Sequence, residues 1–538
     1  MKSLNIFFII LSCSASISCA KTDTVLTPYE ETLKLSDYTL RGFHSVLYYP
    51  NGTSLHYPGY IIGIEKSPQR IIGGPKYIKD ANLIKNTAYL NEEKSGFTDT
   101  KHIIHSFSKV NPKAIYISHI LKNNFNIIDN SGETPYVNNT HCFVYNSYIA
   151  KALINKHFDL TTISDWHSCS ISNPVNEAAD AMPSSFYKNG TSGLTALQEN
   201  LSQDIKSGAY THILLIVMGW NTSQSEAIRN FNDITGNIMA ASLEQSSDVK
   251  LNLANHRNKV LITRERAIRP EKKNPGTFRP LVIGVTWPSY WSTKKSNVLS
   301  YPNKANDADA LGLTWLNKII NETIPESMSK AGEKLPVIAI GHSFGARAIT
   351  RALFSSPLIK NEQAVSSPVD LAVALEGAMS INRFLPRMSQ EGAPYRDYEK
   401  LKDTKIVLTA SKYDSAVHFS FWSDTAGSDK SYQKACTEIA YSNTFHCMTA
   451  SDKSATDGNV MSSNRFSICN RGDTSSNCTN PLEKTSMIDY IDTSDGITQY
   501  NSYDTGGDAH NDIYRLPMGR LLWRLIQGYA MTFNQPEI

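Results

Sequence analysis

The stretch LPVIAIGHSFGARAITRAL, Leu335 to Leu353, sets one serine between two glycines directly after an apolar run. In G-x-S-x-G after a strand, the serine occupies a sharp turn that lifts its Oγ above the sheet edge. Gly341 and Gly345 suit such a turn because side chains there would collide with the neighbouring strand and helix. The serine then opens a helix, where the N–H of Phe344 can stabilise a developing oxyanion. The pentapeptide alone is a weak signal, since Gly and Ser are common. Its setting gives it weight: an apolar strand before it and the small-residue helix Gly345-Ala346-Arg347-Ala348 after it. Ser343 is therefore read as a nucleophile and not as a plain turn residue.

Working outward, apolar runs alternate with helical patterns from about residue 205. The runs are Thr211–Trp220, Arg279–Trp287, Leu335–Gly341, Asp370–Gly377 and Thr404–Ser411, apolar almost throughout as parallel strands buried on both faces require. Between them SQSEAIRNFNDITGNIMAASL, NDADALGLTWLNKIINETI and FGARAITRALF carry apolar residues at spacings of three and four. LPMGRLLWRLIQGYA reads as one more helix. The alternation predicts an α/β fold with a doubly wound, mostly parallel sheet over residues 201–538. Residues 21–200 are less regular; FHSVLYYP and YIIGIE are candidate strands that would extend the main sheet, and no function is assigned to this extension.

A serine hydroxyl needs a base, and the base needs an orienting acid. In the order Ser, acid, His, both partners lie downstream at strand ends. TASKYDSAV places Asp414 just past a strand end, with Glu376 at the end of the preceding strand as the rival acid. A turn or helix-cap role for Asp414 is the plainer alternative. Three histidines follow Ser343. His418 lies too close to Asp414 in sequence to bond it while reaching Ser343, and His446 sits beside Cys447 in a polar insertion. His510 stands in a Gly-rich loop before the last helix, where the base belongs. The expected triad is Ser343, Asp414 and His510. After the first of the apolar runs, MGWNTSQSEA puts Gly219 where backbone can approach a substrate and makes the Trp220 N–H the expected second oxyanion donor. TWPSYW places Trp287, Tyr290 and Trp291 at the same sheet edge, either as an acyl-pocket wall or as packing.

Residues 205–530 resemble the α/β-hydrolase superfamily, and within it bacterial esterase- and lipase-like members with HG-[aromatic]-N after the third strand. VMGWNTSQSEAIRNF, VTWPS, GHSFGAR, TASKYDSAV and the late His510 fall in that order, with Met218 in place of the usual histidine. The resemblance implies hydrolysis of carboxylic esters through an acyl-enzyme on Ser343, with no cofactor and no metal. The implied substrate is a small-molecule or lipid ester, with membrane-surface contact where the ester is a lipid, and no obligate protein partner. The alternative is a non-catalytic envelope-associated binding protein that keeps the fold.

Composition fits this frame. The chain of 538 residues is 41% hydrophobic and 19% charged, as globular chains are, and its net charge of +3 with no basic stripe argues against a nucleic-acid binder. MKSLNIFFIILSCSASISCAK has the layout of a secretory signal peptide cleaved after Ala20, with lipidation at Cys19 as the second reading. The rest of the chain holds Cys142, Cys169, Cys436, Cys447, Cys469 and Cys478, an even set that suits disulfides in an exported protein. The last four can pair in three ways. No C-x-x-C occurs, and HIIH at 102–105 lacks the spacing of a zinc hydrolase. Residues 416–498, rich in Ser, Asn and Thr, are expected to form a disulfide-stapled cap over the site.

Overall fold

The computed structural model describes residues 55–66, 115–127, 136–145, 170–171, 184–222, 224–245, 278–287, 289, 297–360, 365–385, 395, 398–419, 424–452, 466–473, 478, 481–483, 485–498 and 509–531. Twelve strands join in one sheet: β1 (Gly59–Lys66), β2 (Ile115–Ile127), β3 (Tyr136–Tyr145), β4 (Ser170–Ile171), β5 (His212–Val217), β6 (Pro280–Thr286), β7 (Val337–His342), β8 (Leu371–Leu375), β9 (Lys405–Ala410), β10 (Phe445–Asp452), β11 (Phe466–Asn470) and β12 (Ile488–Asp492). Across the sheet they run β11-β10-β12-β9-β8-β7-β5-β6-β1-β2-β3-β4. Pairing is antiparallel at β1/β2, β2/β3 and β10/β11, and parallel elsewhere. The sheet is thus mixed and mostly parallel, and the expected α/β class holds.

Every residue of β5 to β9 is buried. Alternate residues of a strand face opposite sides, so both faces of this central part are covered, and that is why its runs carry no polar alternation. Each fully buried Ile, Val or Leu in them contributes roughly 1.5–3 kcal/mol. The principal helices are α1 (Ser184–Lys206), α2 (Gln224–Gln245), α3 (Asn297–Leu313), α4 (Ile324–Ala331), α5 (Phe344–Leu353), α6 (Asp429–Thr437) and α7 (Leu516–Tyr529). α2 packs on α7, α3 on α5, and α1 on α4. The helix expected over 306–324 differs: α3 starts earlier and stops at Thr314 (φ −108°, ψ −102°), and a π-turn over Ile319–Thr323 leads into α4.

From β5 the chain moves to β6 on one side and returns to β7 on the other. Strand order reverses between β5 and β7, and in open parallel sheets the crevice beyond the strand ends at such a reversal is the place for a ligand.

β1 to β4 extend the main sheet, as expected for YIIGIE, while FHSVLYYP lies outside the described residues; α1 runs through the boundary placed at residue 200. One part of the expected organisation changes: the described parts of 416–498 do not stand apart as a cap, since β10, β11 and β12 extend the sheet beyond β9. Their Ser- and Thr-rich pattern looks loop-like because these strands lie toward the sheet margin, where one face can stay polar. Cys436 pairs with Cys447 and Cys469 with Cys478, and Cys142 is disulfide-bonded too. The first pair ties α6 to β10; chain separations of 11 and 9 residues make each worth about 2–3 kcal/mol by loop-closure entropy. The signal-peptide reading, Cys169 and HIIH fall outside the described residues. Among the described residues no helix is long and apolar enough to cross a membrane.

A buried ion cluster clamps α5. Asp309 of α3 accepts from Arg347 Nη2 at 2.6 Å and from Arg383 Nη1 and Nη2 at 2.9 Å each. Burial would raise the Asp309 carboxyl, but Arg347, Arg383 and Arg351 together hold it far below the usual range. Replacing Asp309 by alanine takes away the carboxylate these guanidiniums share, at an expected cost of about 3–5 kcal/mol. Urea denaturation checks this, and a loss under about 1 kcal/mol would mean the cluster does not hold the helix.

Candidate active site

At the C-terminal end of β7, Ser343 has φ 55° and ψ −119°, a strained conformation for a residue with a side chain. Its N–H donates to the Leu375 carbonyl at 3.0 Å, and its own carbonyl accepts from the Ala378 N–H at 3.0 Å. The turn is therefore strapped to the end of β8. The glycine expectation holds: a Cβ on Gly341 would lie 2.5 Å from the Ala346 N, and one on Gly345 2.0 Å from the Val217 carbonyl. α5 can cross this close to β5 only because residue 345 has no side chain.

Among the described residues three non-glycine positions have positive φ: Asn221, Ser343 and Glu376, at 61°, 55° and 45°. They follow β5, β7 and β8, so backbone strain gathers at one edge of the sheet, at the strand-order reversal.

His510 lies in the 3₁₀ segment Ala509–Tyr514, just before α7. Its Nδ1 is 2.7 Å from Asp414 Oδ2. Asp414, fully buried beyond β9, also accepts from the N–H groups of Ala416 at 3.0 Å and Val417 at 3.4 Å, so the helix-cap role is present alongside the pairing. Burial alone would raise its carboxyl; His510, Glu376 and the Val417 N–H hold it below the ordinary aspartate value. The His510 segment is anchored on both sides. Asp512 accepts from the Thr498 N–H at 2.9 Å, and Asn237 of α2 donates to the Tyr514 carbonyl at 2.6 Å.

His342, the residue before the serine, links the two sides. Its Nε2 is 2.9 Å from the His510 carbonyl, and the two imidazole rings are 4.6 Å apart. Burial, then the neighbouring His510, lowers its pKa to about 3. His342 is thus a neutral imidazole that donates to the His510 carbonyl and sets His510 beside the serine turn. Sequence reasoning weighed only histidines downstream of Ser343 and so passed over it.

Gly219 sits directly over the serine: a Cβ there would lie 2.5 Å from Ser343 Cβ and 3.1 Å from its Oγ. The rings of Trp220 and Phe344, the two expected oxyanion donors, are 6.4 Å apart. Phe344 is the first residue of α5. The loop carrying Gly219 and Trp220 is held by the segment after β6. The Trp287 indole N–H donates to the Met218 carbonyl at 2.7 Å, Ser289 Oγ to the Thr222 carbonyl at 2.8 Å, and the Asn221 N–H to the Ser289 carbonyl at 2.9 Å. Trp287 is 3% exposed and its N–H is committed to the loop, so it packs beneath the Gly219 turn. Tyr290 and Trp291 lie outside the described residues.

Of the rival residues, one falls elsewhere. His446, on β10, is bonded to Asp489 and Asn470 at 3.3 and 2.8 Å, four strands from β7. The side chain of His418 lies outside the described residues. Glu376 does reach the site, behind Asp414, with Oε1 accepting from Thr409 Oγ1 at 3.0 Å and Thr493 Oγ1 at 3.2 Å. Among the described residues no group of His, Cys, Asp or Glu side chains is arranged to hold a metal ion.

The chain was compared with family models, curated proteins and solved structures, and none of them matches it.

Proposed function

We propose that the protein is a serine hydrolase of α/β-hydrolase-like architecture, acting on carboxylic esters through an acyl-enzyme on Ser343. The observation that carries this reading is the 2.7 Å contact of His510 with a buried aspartate, set beside a strained serine that opens a helix. As the serine hydroxyl attacks the acyl carbonyl carbon, His510 takes its proton, and Asp414 holds the imidazole in the right tautomer and stabilises the imidazolium. The carbonyl oxygen becomes an oxyanion toward the backbone N–H groups of Phe344 and Trp220. Collapse expels the alcohol, which takes the proton from His510, and leaves the acyl group on Ser343. Water, deprotonated by His510, then attacks the acyl carbon; the bond to Ser343 Oγ breaks, Oγ takes the proton back from His510, and the acid is freed. The disulfides support a place outside the reducing cytoplasm, in line with secretion or a periplasmic location.

The test is labelling with a fluorophosphonate, together with turnover of p-nitrophenyl esters of graded acyl length. The wild type is expected to be labelled once, at Ser343, and Ser343→Ala to lose the label and to lower kcat by about 10⁶-fold. A wild type that takes no label and hydrolyses none of the esters favours the non-catalytic binding protein instead.

A further inference from the structure

Glu376 is buried at the end of β8 in an unfavourable backbone conformation. That conformation is enforced from both sides. Ser343 bonds the residues flanking the turn, Leu375 and Ala378, and a Cβ on Gly427 would lie 2.7 Å from the Glu376 carbonyl carbon. A surface glutamate needs no such support.

The hydrogen bonds around its carboxyl are unequal. Oε1 lies against two hydroxyls, Thr409 at 3.0 Å and Thr493 at 3.2 Å, which share their protons with the Ala374 and Ala410 carbonyls at 3.5 and 3.1 Å. Oε2 is buried and receives no donor. The group beside this carboxyl is the carboxyl of Asp414, which already accepts from the His510 ring and two backbone N–H groups. Two ionised carboxylates in contact in a buried site repel one another, so one carries a proton. Asp414 has three donors and Glu376 has hydroxyls at one oxygen only, so the proton belongs on Glu376 Oε2. Tyr490 of β12 also lies in its field and supplies no positive charge. Burial, then Asp414, pushes the Glu376 carboxyl well above its ordinary value, in the same direction as the geometry.

We propose that Glu376 is a positioning residue: a neutral carboxylic acid whose Oε2–H donates to Asp414 and fixes the carboxylate that holds His510. This rests on the Ser343, Asp414 and His510 reading. It gives the protein a four-member relay, with the last proton held at the foot of the site.

The experiment compares Glu376→Gln and Glu376→Met in hydrolysis of p-nitrophenyl acetate across pH, with circular dichroism to confirm folding. Methionine removes the donor, so kcat is expected to fall about tenfold with KM little changed. Glutamine keeps a donor and an acceptor, recovers most of that loss, and leaves the acid limb of kcat/KM in place because one neutral group replaces another. A shift of that limb to lower pH by about one unit in Glu376→Gln would show that Glu376 is ionised, and full kcat in Glu376→Met would remove the positioning role. Infrared difference spectra read the proton without turnover: a protonated carboxylic acid C=O band, present in the wild type and absent in Glu376→Gln, is expected. Its absence from the wild type overturns the proposal even where Met does not fold. Loss of the triad reading is seen separately, as failure of Ser343 to take the fluorophosphonate.

Discussion

Replacing Asp414 by asparagine is expected to lower kcat by about 10⁴-fold while leaving the fold in place. Asn keeps an oxygen for the Ala416 and Val417 N–H groups, which Asp414 caps at 3.0 and 3.4 Å, so the turn beyond β9 survives. Its amide, however, donates where the carboxylate accepts. The His510 Nδ1 must then become the acceptor, and the ring proton moves to the nitrogen that should take the serine proton. A hydrogen bond of similar length is kept, and the base is lost. The measurement is kcat for a p-nitrophenyl ester beside the rate of fluorophosphonate labelling, with thermal melting to confirm the fold. Turnover within about tenfold of wild type would mean that Asp414 does not orient the base, and would return Glu376 to candidacy as the acid.

The second large effect concerns stability. His342 is buried, and its pKa falls from 6.5 to about 3 on folding, through burial first and the adjacent His510 second. The unfolded chain binds this proton below pH 6.5, whereas the folded chain refuses it until about pH 3. The contribution of a neutral His342 is therefore full above the unfolded value and lost as pH falls toward the folded one. The stability gap between wild type and His342→Gln is expected to narrow by about 2 kcal/mol between about pH 7 and pH 5. The comparison must be a difference, because Glu376 acts in the opposite sense: its raised pKa makes the folded state gain from acid, and this cancels between the two proteins. Urea denaturation at each pH gives the gap. A constant gap would mean that His342 titrates normally, and that its bond to the His510 carbonyl is not the neutral contact described above.

What the sequence made legible follows from which forces are local. The five apolar runs became β5 to β9, because burial on both faces leaves an unmistakable pattern. The serine turn was legible because its glycines answer to close backbone contact, and YIIGIE became part of β1. β10 and β11 were not: FHCMTASD and FSICN mix polar with apolar residues, since their faces are only partly covered. They pair with strands distant in sequence, and nothing in their own composition says so. The same holds at the site. Asp414 and His510 could be proposed from order along the chain. The grip of Trp287 on Met218, of His342 on His510 and of the two threonines on Glu376 comes from neighbours 33 to 168 residues apart.

One consequence lies at the far margin of the sheet. Among the described residues β11 is the last strand on this side, antiparallel to β10, and no further strand pairs with its other edge. A sheet border of this kind is a template on which another chain can build. Here it is five residues long and fastened through Cys469 to Cys478, while Cys447 pins the strand behind it. Reducing these two disulfides is therefore expected to loosen that border and to favour pairing between chains, read as aggregation in a reducing buffer.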